Sequence, residues 1–128
     1  MANYLLDTHT AIWFFDDASS LSHVAAQIIL DEVNQIYLSV ASAWELTIKI
    51  SIGKLGFPGD AAGFLQTAQN NDITIIPIET SHLTALKELP LIHRDPFDRL
   101  LIATALAEQM TLITVDKNIA KYDVPHIW

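Results

Sequence analysis

Four carboxylates, Asp7, Glu45, Asp98 and Asp116, stand where they could hold a hard divalent cation. Asp7 directly follows the apolar run Asn3-Tyr4-Leu5-Leu6, and Asp116 directly follows Thr111-Leu112-Ile113-Thr114-Val115. Both runs read as strands. Glu45 falls in the first turn of a helix predicted to open near Ser42. Asp98 falls in the first turn of a helix opened by Asp95-Pro96, where proline at the first helical position loses only a donor that would be unpaired anyway. In an open parallel sheet, ligands gather outside the carboxyl ends of the strands. The two strand-end acids project from that edge, and Glu45 lies there too. The helix carrying Asp98 runs back toward the start of the next strand, so its first turn belongs at the same edge. Carboxylates crowded in one cleft raise one another's pKa unless a cation relieves the repulsion. Mg²⁺ or Mn²⁺, which prefer oxygen ligands, would do so. Such an ion can activate water for attack on phosphorus and stabilise the leaving oxygen. Thr114, two residues before Asp116 on the same predicted strand face, is placed to hold a water or the phosphate.

Each acid also has a purely structural reading. Ser42-x-x-Glu45 matches a capping box, in which the glutamate only bonds back to the start of its helix. Asp95 reads as an N-cap, and Asp98 is favourable against the helix dipole. Asp116 with Asn118 reads as a turn, and Asp7 with Thr8 or Thr10 as a helix start. The convergence of all four on one edge is what favours a site over four separate caps.

The elements that must position these residues alternate along the chain. Strands are predicted at 3–6, 36–40, 73–76 and 111–115, with a last short one at 126–128. Helical patterns fall between them: 10–15, a segment carrying Leu21, Val24, Ala25, Ile28 and Ile29 behind Ser20 or Ser22 as N-cap, the helix carrying Trp44, Leu46, Ile48 and Ile50, another carrying Ala61, Phe64, Leu65 and Ala68, then 81–89 and 95–108. Asn34 is expected to close the second helix, and Gly56-Phe57-Pro58-Gly59 marks a loop. This alternation predicts a three-layer α/β fold with a central parallel sheet of four to five strands flanked by helices.

A length of 128 residues suits one domain spanning 1–128. The apolar runs stop short of the roughly 20 residues a membrane helix needs, and the N-terminus lacks the basic segment and cleavage site of a signal peptide. Cysteine is absent, which excludes disulfides, thiolate metal sites and a cysteine nucleophile and suits the cytoplasm. Seven Lys and Arg against fifteen Asp and Glu leave a net charge of −8, the reverse of the basic stripe expected of a nucleic-acid binder. Either the substrate is not a polyanion, or bound cations and local basic residues offset the acidity. Lys49, Arg94, Arg99, Lys117 and Lys121 lie closest to the predicted cleft. No His-x₃-His pair exists, so a zinc site is not indicated; His9 and His93 fall near the cleft, His9 in a packing or orienting role.

Leu5-Leu6-Asp7-Thr8-His9, Ser42-Ala43-Trp44-Glu45-Leu46, His93-Arg94-Asp95-Pro96-Phe97-Asp98-Arg99-Leu100-Leu101-Ile102-Ala103 and Leu112-Ile113-Thr114-Val115-Asp116 closely resemble the PIN-domain family, in particular the VapC-type toxins of bacterial toxin–antitoxin modules. The resemblance runs in order over essentially the whole chain. It implies a Mg²⁺-dependent endoribonuclease, with Mn²⁺ as a substitute, acting on RNA, forming a homodimer and inhibited by a cognate VapB-type antitoxin. By that resemblance Asp7, Glu45, Asp98 and Asp116 take the four acidic positions and Thr114 the hydroxyl position, while Asp95 caps its helix. Two other readings compete. A phospho-acceptor signalling domain would need a lone aspartate at the end of a middle strand, and the third strand, ending Ile76-Pro77-Ile78-Glu79, supplies none. An inactive PIN-like fold that only binds partners is opposed by the presence of all four acids.

Overall fold

Leu5 and Leu6 are adjacent residues of β1 (Asn3–Leu6) and both are fully buried. Successive side chains of a strand point to opposite faces, so β1 must be covered on both sides. The computed structural model, which describes residues 2–128, provides that cover. After β1 come α1 (Thr8–Asp16), α2 (His23–Leu30), β2 (Gln35–Ser39), α3 (Val40–Ser51), α4 (Ala61–Asn70), β3 (Thr74–Ile76), α5 (Thr80–Glu88), α6 (Pro96–Glu108), β4 (Thr111–Ile113) and β5 (His126–Ile127). The five strands are all parallel, in the order β3-β2-β1-β4-β5, with Leu5 paired to Tyr37 on one side and Leu112 on the other. This is the three-layer architecture expected from the alternation of elements.

The two faces build two cores. Leu6, Leu38 and Ile113 pack with Ala11, Ala25, Ile29, Leu46 and Phe64 from the helices on one side. Leu5 and Leu112 pack with Leu101, Ile102 and Ala105 of α6 on the other. Neighbouring residues of β1 and of β4 thus divide between the cores, as the strand period requires. On that second side α5 is tied to α6 by His82, which is fully buried. Its Nδ1 accepts from the Glu79 backbone N–H, which leaves Nε2 to donate to Glu108 Oε2 at 2.6 Å.

The sheet advances from β1 outward to β2 and β3, then returns to the other side of β1 as β4. The reversal makes a topological switch point between β1 and β4, the place where open parallel sheets open a crevice at the strands' carboxyl ends.

Several boundaries differ from expectation for identifiable reasons. α3 begins at Val40, directly out of β2, with the Ser39 hydroxyl accepting from Ala41 N at 3.0 Å. Ser42 is therefore inside the helix and accepts from the Thr8 hydroxyl at 2.8 Å, so it is not the N-cap. Glu45 consequently lies in the second turn, and the expected capping box does not form. The second helix stops at Leu30, yet Asn34 still serves its end by donating from Nδ2 to the Ile28 carbonyl. Ser22 is its N-cap, accepting from Ala25 N. β4 stops at Ile113, although Thr114 N continues the ladder by donating to Ile127 O.

Candidate active site

Asp7 leaves the central strand at the switch point and is almost completely buried. Its backbone N–H donates to the Ile113 carbonyl, which locks the end of β1 to the end of β4. The same carbonyl accepts the Thr10 hydroxyl from the first turn of α1. Thr114, also buried, donates its hydroxyl to Asp7 Oδ2 at 2.8 Å and accepts from Asp116 N at 3.0 Å. That hydroxyl is thus committed to orienting Asp7 and the Asp116 loop, where the sequence had suggested a water or phosphate contact. Asp116 sits in the loop beyond β4 rather than directly at its end, and its Oδ1 accepts from Asn118 N. The turn expected of Asp116 and Asn118 is real, and it uses one of the two carboxylate oxygens.

Glu45 reaches the cluster from α3. Its side chain is 3% exposed, and Oε2 takes the Lys49 ammonium one turn later at 2.5 Å. Oε1 is buried and has no hydrogen-bond partner. A buried carboxylate oxygen left unpaired is costly in a finished core and therefore asks for a missing partner.

Asp98 enters from the first turn of α6. Asp95 caps that helix as expected, its Oδ1 accepting from both Phe97 N and Asp98 N. His93 Nε2 lies 3.2 Å from Asp98 Oδ2. His93, Asp95 and Asp98 each offer a ligand atom within 4.8 Å of the others, the only group of three such side chains drawn that close among the described residues; of the four expected acids it contains Asp98 alone. The loop carrying His93 is fastened by a residue whose role was not legible in the sequence. The Tyr122 hydroxyl accepts from Ile92 N, His93 N and Arg99 Nη1 at 3.2, 2.9 and 2.9 Å. Arg99 also donates to the Pro90 carbonyl, so this cation is spent on the loop and not held free for phosphate. No local sequence signal marks Tyr122, which lies 29 residues from His93 along the chain.

The charges of the four acids reach one another. Burial pushes the Asp98 carboxyl up to about 8, reinforced by the charges of Asp95, Asp7, Asp116 and Glu45. Burial likewise pushes Asp7 up to about 6, against the lowering effect of the Thr114 hydrogen bond and His9; Glu45 and Asp116 add to the rise. Lys49 is held above its usual range: burial opposes its charge, but the bond to Glu45 and the charges of Glu45, Asp95 and Asp98 outweigh it. Acids from β1's end, α3, α6 and the loop after β4 therefore repel one another across a single crevice. Together with the orphaned Glu45 Oε1, this all-oxygen donor set fits a hard divalent cation.

A parallel α/β sheet with buried acids gathered at its switch point defines a class of protein built to act at that edge. The PIN domain family model matches residues 4–125, and the chain belongs to that family. It is 26% identical over 125 residues to Ribonuclease VapC22 of Mycobacterium tuberculosis, a match spanning 98% of this chain and 95% of that protein. The structure resembles VapBC2 from Rickettsia felis bound to a DNA fragment from their promoter, with a TM-score of 0.75 at 17% identity over 98% of this chain and 97% of that one. It also resembles DNA-bound VapBC from Salmonella typhimurium, with a TM-score of 0.70 at 13% identity over 99% and 98%. At such identities the solved structures establish the fold. Among the described residues, no helix is long and apolar enough to cross a membrane.

Proposed function

We propose that this chain is a divalent-metal-dependent endoribonuclease and the toxin of a toxin–antitoxin module. On this reading residues 1–128 act as one PIN-like domain in the cytoplasm, as a homodimer held in check by a VapB-type antitoxin. The observation that carries the chemistry is the buried Glu45 Oε1 without a partner, inside a group of four mutually repelling acids. PIN-family membership, and likeness to a protein named as a ribonuclease and to VapBC complexes, support the RNA substrate and the antitoxin partner.

Asp7, Asp98, Asp116 and Glu45 would hold the ion, Mg²⁺ in the cell with Mn²⁺ as a substitute. A bound divalent cation supplies Lewis acidity, making water nucleophilic at neutral pH and neutralising charge on the phosphodiester. The protein's own part is positional. Thr114 holds one oxygen of Asp7 and the backbone of Asp116, so that the acids following β1 and β4 are tied to one another. Asp95 fixes the first turn of α6 and with it the backbone of Asp98. The cation also answers the charge problem, because a chain of net charge −8 needs added positive charge where it meets a polyanion.

The test is incubation of mixed RNA with Mg²⁺ or Mn²⁺, comparing wild type with Asp7→Asn and Asp98→Asn. Cleavage by the wild type, lost in both variants and on chelation, supports the proposal. Equal cleavage by all three proteins, or by none, contradicts it.

A further inference from the structure

Lys49 lies four residues after Glu45 on α3, one turn along the same face. An exposed pair at this spacing contributes little. This one differs because its carboxylate is 3% exposed and half-satisfied, with Oε2 on the ammonium and Oε1 on nothing. Among the described residues, Lys49 is the only Lys or Arg in an ion pair with any of the four acids. Its charge is also felt by Asp95 and Asp98. Arg99 offers no substitute, being bound to Pro90 O and the Tyr122 hydroxyl.

We propose that Lys49 is the built-in counter-ion of the acid cluster and competes with the divalent cation for Glu45. The inference rests on reading the cluster as a cation centre. Without a divalent ion, the ammonium compensates the buried carboxylate that would otherwise stand alone. With one, two cations share a single carboxylate, the ammonium at Oε2 and the ion at Oε1, and repel each other at short range. The ammonium is the partner able to leave, since the Lys49 side chain is 31% exposed and sits on a flexible four-carbon stem. Lys49 therefore weakens divalent binding and in exchange keeps the empty site folded.

Mn²⁺ binding is measured by calorimetry at pH 8 for wild type, Lys49→Met and Lys49→Arg. Lys49→Met keeps the side-chain length and removes the charge. It is expected to bind Mn²⁺ about tenfold more tightly, a conservative figure for deleting one nearby charge at an effective protein dielectric after screening. Lys49→Arg should stay close to wild type. Equal or weaker binding by a folded Lys49→Met overturns the proposal while leaving the cation centre standing. No binding by any of the three proteins overturns the cation centre and this proposal together. Because Lys49→Met leaves Glu45 without its counter-ion and can fail to fold, the wild type supplies a second measurement. The rate of reductive methylation at Lys49, followed by mass spectrometry, should rise when Mg²⁺ is added. An unchanged or slower rate overturns the release of the ammonium.

Discussion

The Thr114 hydroxyl donates to Asp7 Oδ2 at 2.8 Å, joining residues 107 apart in the chain across the crevice between β1 and β4. Thr114 Oγ1 in turn accepts from Asp116 N, so one small side chain sets the relation between two acids of the cluster. Thr114 is a positioning residue on this geometry.

Thr114→Val keeps the shape and removes the bond. Because that bond lowers the Asp7 pKa, its loss pushes the carboxyl above about 6, and the acid limb of divalent binding moves to higher pH. Loss of a buried hydrogen bond to a charged group costs about 1.5–3 kcal/mol. Thr114→Ser should restore both. Mn²⁺ titrations across pH, with chemical denaturation of the same variants, check the expectation.

Stability without metal should fall as pH rises. Asp98 is raised to about 8 and Asp7 to about 6, both by burial first, so the folded protein retains protons that the unfolded chain gives up near 3.8. The contribution of these groups is therefore full below about 4 and is lost as pH passes through 6 and then 8. Divalent cation replaces the protons, so Mg²⁺ should stabilise more at pH 8 than at pH 6. Thermal unfolding in chelator and in Mg²⁺ across this range measures it; a Mg²⁺ effect independent of pH would count against coupled protons and cation.

Asp95 has two separable effects. Asparagine is as good an N-cap as aspartate, so Asp95→Asn should keep the α6 cap while removing a charge that raises Asp98. Its metal binding should become less pH-dependent, and its metal-free stability should fall less as pH rises. Asp95→Ala removes the cap as well and should cost about 1 kcal/mol. Paired denaturation and Mn²⁺ binding distinguish the two, and a large loss of metal affinity in Asp95→Asn would instead make Asp95 a ligand.

Tyr122→Phe should loosen the loop that presents His93. It strips the acceptor from two backbone N–H groups and from Arg99, and each hydrogen bond lost at this half-buried loop costs about 0.5–1.5 kcal/mol. Faster hydrogen exchange at Ile92 and His93, with the rest of the sheet unchanged, is the expected signature.

Much of the frame was legible because strand and helix periods are strong local signals. β1 with Asp7 behind it, the Asp95-Pro96 start of α6 and the parallel sheet, though not its strand order, could be read from apolar patterning and turn chemistry. The start of α3 could not, since β2 passes into it with no breaker and Ser42 imitates a cap while actually bonding Thr8. The sequence therefore puts Glu45 one turn too early, and the capping box that competed with its place among the acids is removed by the start of α3 at Val40. Thr114 was found by position, but its partner lies across the sheet. Tyr122 and the committed state of Arg99 depend on contacts 23 to 30 residues apart, which leave no mark in local sequence.

The central claim is that Asp7, Glu45, Asp98 and Asp116 form one divalent-cation centre. Anomalous diffraction from crystals soaked in Mn²⁺ tests it most directly. The expected result is an anomalous peak within ligand distance of Asp7 together with Asp98 or Asp116, with Glu45 facing it directly or through water. A peak confined to another part of the surface, or an empty cluster at saturating Mn²⁺, would contradict it.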